Sequence, residues 1–166
     1  MSLALLFLTG SPKVPKNAEL SFSLALQGAE KQCGFSFYIL GLFYLHGYEV
    51  VEHDIQKSIE YLRKAAKKDC SDAQYLLGEI YSKGRFFPKN EYIAMSFYKK
   101  AAKQGHLKAC TKLGKLYLEN DPESSLDIIQ KRLLKAYHFY EIAANSGSKH
   151  SKKHLIELRK ILSLLE

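Results

Sequence analysis

The stretch Asp72-Ala73-Gln74-Tyr75-Leu76-Leu77-Gly78-Glu79-Ile80-Tyr81-Ser82-Lys83-Gly84-Arg85 decides the fold. Ala73, Leu77, Gly78 and Tyr81 stand at i, i+4, i+5 and i+8, which is one face of an α-helix. Gly84 then supplies a residue that adopts positive φ cheaply and so ends the helix. The same spelling recurs along the chain. Leu40-Gly41, Leu77-Gly78 and Leu113-Gly114 are spaced by 37 and 36 residues, and a tyrosine follows each glycine by three: Tyr44, Tyr81 and Tyr117. Gly47 and Gly84 close two of these helices, and Asn120 takes that place in the third copy.

A second helix follows in each unit. Asn17, Asp54 and Asn90 suit its N-cap. It then carries a small residue (Ser21, Ser58, Ala94, Ala136) and a leucine or aromatic (Leu24, Tyr61, Phe97, Phe139). A Gly/Ala-Ala pair comes next: Gly28-Ala29, Ala65-Ala66, Ala101-Ala102 and Ala143-Ala144. Glycine inside a helix costs about 1 kcal/mol relative to alanine, so Gly41, Gly78 and Gly114 imply compensating close approach by a neighbouring helix. A generic helical bundle has no need of that register.

Shifting the N-terminus by 37 residues places Leu3-Ala4 on Leu40-Gly41, Phe7 on Tyr44 and Gly10 on Gly47. The apolar start therefore reads as a shortened first helix instead of a signal peptide, whose positive n-region it lacks. The last alanine-pair interval is 42, so the fourth unit carries a six-residue insertion. Asn120-Asp121-Pro122-Glu123 looks like a helix start, and Leu126, Ile129, Leu133, Ala136, Tyr137 and Tyr140 continue one apolar face. The spacing predicts a second helix longer by about a turn and a half. Lys149 to Leu164 aligns with a first helix, but with Leu155-Ile156 for Leu-Gly and Arg159 for the tyrosine, as a terminal cap would.

These motifs resemble the Sel-one-like repeat family, a relative of tetratricopeptide repeats, across nearly the whole chain. The resemblance implies an all-α, right-handed α-α superhelix, a solenoid of about four helix-turn-helix repeats plus a C-terminal capping helix. The repeats fall at about 3–39, 40–76, 77–112 and 113–148, with the cap at 149–164, in a single domain spanning 1–166. It also implies an adaptor or scaffold that binds a peptide or domain of another protein along a concave wall of first helices. The matching positions are Tyr38, Leu42, Leu45 and His46; Tyr75, Glu79, Ser82 and Lys83; and Thr111, Lys115, Leu118 and Glu119, with Leu5, Leu8 and Thr9 in the first unit. The N-terminal half of this wall is apolar and the C-terminal half charged. Two competing readings are burial of Leu42 and Leu45 against adjacent helices, and an upstream repeat beyond Met1 that would cover the apolar first helix. A cysteine-rich branch of the family pairs two cysteines per repeat and includes β-lactam binders. Cys110 matches one such position but Ala102 occupies the other, so that activity is not carried over.

No catalytic or cofactor constellation is present: there is no P-loop, dinucleotide fingerprint or nucleophile elbow, and no cysteine cluster with zinc spacing. His150 and His154 stand i, i+4 without a third ligand. The expectation is a non-enzyme with no cofactor. Its formal charge of +8 raises an alternative, electrostatic binding of an acidic partner such as nucleic acid or anionic membrane. The run Lys99, Lys100, Lys103, His106, Lys108, Lys112 and Lys115 reads better as a solvated face, and no aromatic platform interleaves with it. No run reaches the roughly 18–20 apolar residues of a spanning helix. Three cysteines, Cys33, Cys70 and Cys110, fit a reducing, cytoplasmic setting, with export as a host-directed protein left open. Partner identity and oligomeric state are not written in the motifs.

Overall fold

The computed structural model describes residues 3–10, 16–118 and 126–163, and every regular element among them is helical. In chain order these are α1 (Leu3–Thr9), α2 (Ala18–Glu30), α3 (Gly34–His46), α4 (Ile55–Lys67), α5 (Ser71–Lys83), α6 (Glu91–Lys103), α7 (Leu107–Leu118), α8 (Leu126–Asn145) and α9 (Lys149–Leu162). They form four helix-turn-helix repeats followed by a C-terminal helix. The chain divides into two compact units, 1–90 and 91–166, with the boundary between the two helices of the third repeat.

In the first unit, α1 to α5 pack in sequence order. The side chain of Asn17 accepts a hydrogen bond from Leu20 N–H at 2.8 Å, and that of Asp54 from Lys57 N–H at 3.0 Å. Each thereby satisfies an amide that the first turn would leave open. Gly47 and Gly84 stand at φ +62° and +63°, as the repeat pattern requires. The core is built from Ala4, Leu8, Ala25, Ile39, Leu40 and Phe43. Gly41 is pressed against α4, since a Cβ there would sit 2.8 Å from Leu62 Cδ2. Tyr44 stacks on Tyr61 with centroids 5.6 Å apart, joining the two helices of the second repeat.

The second unit repeats these devices. A Cβ on Gly114 would lie 2.7 Å from the buried ring of Tyr140, and Tyr117 stacks on Phe139 at 5.9 Å. Lys57 in one unit and Lys135 in the other hold equivalent positions, each with its ammonium over the repeat tyrosine, at 5.4 Å and 5.7 Å. The fourth repeat's second helix has 20 residues against 13 in α4, so the insertion lengthens it as expected. The proposed start at Asn120 to Glu123 lies outside the described residues, as does Glu119. Ala136, Tyr140 and Leu158 form the core between α8 and α9, with Leu133, Tyr137, Leu155 and Tyr117 packed around it. Arg159 reaches back to donate to Tyr137 Oη at 2.9 Å.

Packing decides two points that the repeat spacing leaves open. The second-helix column Leu24, Tyr61, Phe97 and Phe139 is only half-buried. The fully buried column is one residue later: Ala25, Leu62, Tyr98 and Tyr140, four residues beyond the small residue and thus on the same face. Nor are all tyrosines core, because Tyr92 is 91% exposed.

Candidate partner-binding surface

The wall residues of α3 stand at i, i+4, i+7 and i+8, so helix geometry alone puts Tyr38, Leu42, Leu45 and His46 on one side. Tyr38 and Leu42 line a groove of about 710 Å³ together with Leu5, Leu8 and Thr9 of α1. Tyr48, Glu49, Lys16 and Ala18 complete it. Leu42 and Tyr38 also touch the core, so each is half-buried, with an inner edge in the core and an outer edge in the groove.

Leu45 and His46 line a second cavity of about 300 Å³ with Glu79 and Lys83 of α5, and with Leu76, Ile80, Arg85 and Phe86. Lys83 Nζ lies 2.7 Å from Glu79 Oε2, which neutralises that lysine and leaves Arg85 as a further cation of the cavity. Tyr75, one turn before Glu79, is half-buried; burial first, then the neighbouring Glu79 carboxylate, pushes its hydroxyl up to about 12. Tyr38 is likewise pushed to about 12 by burial, with Asp72 adding to it. Both hydroxyls therefore stay protonated as donors at neutral pH.

Thr111 and Lys115 belong to the other unit. Thr111 Oγ1 sits 3.1 Å from Ser151 Oγ of α9 and donates to Leu107 C=O, also at 3.1 Å. It is thus engaged by the C-terminal helix, while Lys115 is exposed. Ser82 is half-buried and Leu118 exposed.

Motif reasoning missed Tyr48 and Phe86, which line the two cavities from just beyond α3 and α5. The available signal was the glycine before each. Gly47 and Gly84 take left-handed φ and turn the chain, so the next aromatic residue falls at the cavity's end.

The charge is unevenly placed. Residues 91–166 carry fourteen Lys and Arg against eight Asp and Glu, a net +6, whereas 1–90 carry eleven against nine, a net +2. Among the described residues no cluster of three or more His, Cys, Asp or Glu is placed to hold a metal ion. His154 stacks on Tyr140 at 4.9 Å, and its Nδ1 lies 3.4 Å from Glu157 Oε2. The three cysteines are free thiols. No described helix is long and apolar enough to cross a membrane.

Two-helix units that pack in order, with a glycine notch in the first helix, define a helical-repeat protein. The chain belongs to the Sel1 repeat family, whose repeat pattern matches residues 1–33, 38–70, 71–106 and 107–148. That frame starts each repeat at its first helix, a few residues ahead of the Leu-Gly pairs. The chain is similar to the crystal structure of a Sel1 repeat protein from Oxalobacter formigenes, with 28% identity and a TM-score of 0.69 over 80% of this chain and 95% of that one. It is also similar to c5321, a protective antigen present in uropathogenic Escherichia coli strains that displays an SLR fold. There the identity is 21% and the TM-score 0.62, over 98% of this chain and 37% of that one, a likeness of fold alone. No curated protein sequence matches the chain. The Sel1 repeat fold is generally a protein-interaction scaffold and typically non-catalytic.

Proposed function

We propose that this chain is an adaptor that binds a segment of another protein in the groove between α1 and α3, extended by the cavity between α3 and α5. The observation that carries the reading is the lining of the larger groove. Leu5, Leu8, Tyr38, Leu42 and Tyr48 give it an apolar floor, while Lys16 and Glu49 offer one charge of each sign. An apolar strip with few polar groups suits a peptide whose spaced side chains anchor in it, with the charges setting orientation. The half-buried Tyr38 hydroxyl is a donor held in place by packing, which lowers the ordering cost of an accepted hydrogen bond.

Affinity capture with wild type, Leu42→Glu and the control Glu60→Lys on the exposed side of α4 tests the proposal, followed by direct titration of the purified partner. A partner bound by wild type and Glu60→Lys but lost from folded Leu42→Glu supports the groove. Equal binding by all three rejects it.

A further inference from the structure

The groove and the cavity lie on opposite sides of α3 and differ in charge. Leu42 lines the groove, and Leu45, one turn on, lines the cavity. Around the groove Lys16 and Glu49 cancel, so its apolar floor dominates. Around the cavity Lys83 and Arg85 stand against Glu79 alone, leaving one positive charge in excess. The Glu79 side chain is only 13% exposed and already holds Lys83 at 2.7 Å. The Tyr75 hydroxyl donates to the same carboxylate. An incoming anion therefore meets Arg85, which is exposed just after the left-handed Gly84 and whose planar fork matches a carboxylate. Taking the groove as the binding surface, on which this inference rests, we propose that the bound segment is extended, with a bulky apolar residue for the groove and, three residues away, an Asp or Glu for Arg85.

Helix spacing sets the interval. α3 packs beside both α1 and α5. Packed helices lie about 8–10 Å apart, so the openings on either side of α3 are separated by about that distance. A polyproline II segment turns once every three residues and rises about 3.1 Å per residue, which puts residues i and i+3 on one side about 9 Å apart. A β-strand offers one side only at i+2 or i+4, about 7 or 13 Å away. A helix needs about seven residues to cover the distance and keeps its own carbonyls bonded. The polyproline backbone has no internal hydrogen bonds, so one of its carbonyls is open to the Tyr38 hydroxyl at the groove. Leu45 and Phe86 then flank the aliphatic stem of the acidic residue. A lysine in that place would set a second cation against Arg85, which makes charge a basis of selection.

A display library of short random peptides tests the assignment, selected in parallel on the full-length protein, on Arg85→Glu and on Leu42→Glu (Leu42→Ala if the charge unfolds the chain). Arg85 lies in an exposed turn, so Arg85→Glu should keep the helical circular dichroism of wild type. The proposal predicts that peptides selected on wild type carry an acid three positions from a leucine, isoleucine, phenylalanine or tyrosine. Each should bind Arg85→Glu about tenfold more weakly by fluorescence anisotropy and recover when its own acid is changed to lysine. Selection on Arg85→Glu should keep the apolar residue and place a lysine or arginine at the same interval. Peptides that need Leu42 but carry no acid, or carry it two, four or seven positions away, would overturn the proposal and leave the groove standing. A library that yields no binder would overturn it too, while loss of a captured protein from Leu42→Glu would still speak for the groove. Peptides bound equally by wild type and the folded Leu42 variant would overturn the groove itself.

Discussion

The Ser58 hydroxyl donates a 2.8 Å hydrogen bond to the Gly41 carbonyl, 17 residues earlier and on the partner helix of the same repeat. Ser21 does the same to the Ala4 carbonyl at 2.7 Å, also 17 residues away. Both hydroxyls are fully buried. The small residue of the second helix therefore does two things: it admits the first helix, and in the first two repeats it ties to that helix's backbone. Ser58→Ala keeps the packing and removes the bond, so the expected loss is about 0.5–1.5 kcal/mol. Urea denaturation with an unchanged slope and an earlier midpoint would show it. Ser58→Val adds a methyl into a closed site and is expected to cost more.

Gly41→Ala and Gly114→Ala are both expected to destabilise, although alanine is the better helix former by about 1 kcal/mol. At Gly114 the added carbon meets the ring of fully buried Tyr140, which has no room to swing. At Gly41 it meets both Cγ and Cδ2 of the equally buried Leu62 at 2.8 Å, and a branched chain with two rotatable bonds yields more readily than a rigid ring. Overpacking costs about 1–3 kcal/mol, so Gly114→Ala should show the larger drop in melting temperature. A rise in either melting temperature would mean that the glycine is not a packing notch.

Alkaline titration reads the packing of the wall. Tyr38 and Tyr75 ionise at about 12 in the folded chain against an ordinary value of 10. The unfolded chain therefore loses these protons first. The stability they contribute is complete below pH 10 and falls as pH rises from there to about 12. Absorbance at the tyrosinate band should show late-ionising tyrosines, and Tyr75→Phe should make the alkaline loss of stability shallower.

Thiol labelling distinguishes the three cysteines. Cys33 is exposed, and hydrogen bonding from Ser36 at the start of α3 lowers its thiol. Burial raises Cys70 and Cys110. The native protein should consume one equivalent of a thiolate-selective reagent quickly, label the part-buried Cys70 more slowly, and label Cys110 only on unfolding. Rapid labelling of Cys110 would contradict its placement in the α7 core.

Much of this fold was legible because glycine, alanine and tyrosine recur in phase, and periodicity survives even where single propensities mislead. Gly41 and Gly114 face neighbouring helices as their spacing implied. Less legible was which second-helix column is buried. Tyr61 and Leu62 are adjacent and both apolar, and only the angle at which α4 meets α3 decides that Leu62 goes inside. The candidate residues could be placed on helices from the spacing, and Tyr38 with Leu42, and Leu45 with Glu79, line common cavities. The residues contributed by turns could not, because Tyr48 and Phe86 owe their place to the path of the chain after a left-handed glycine. Thr111 was read as a wall residue, yet its hydroxyl meets Ser151, a contact 40 residues away that no local pattern encodes.

Site-specific photocrosslinking tests the central claim most directly. A photoreactive amino acid placed at Leu42, and separately at Lys64 on the exposed side of α4, should be irradiated in cells that make the protein. The groove reading predicts a discrete protein adduct from position 42 that is absent from position 64. The same adducts from both positions, or an adduct from position 64 alone, would contradict it.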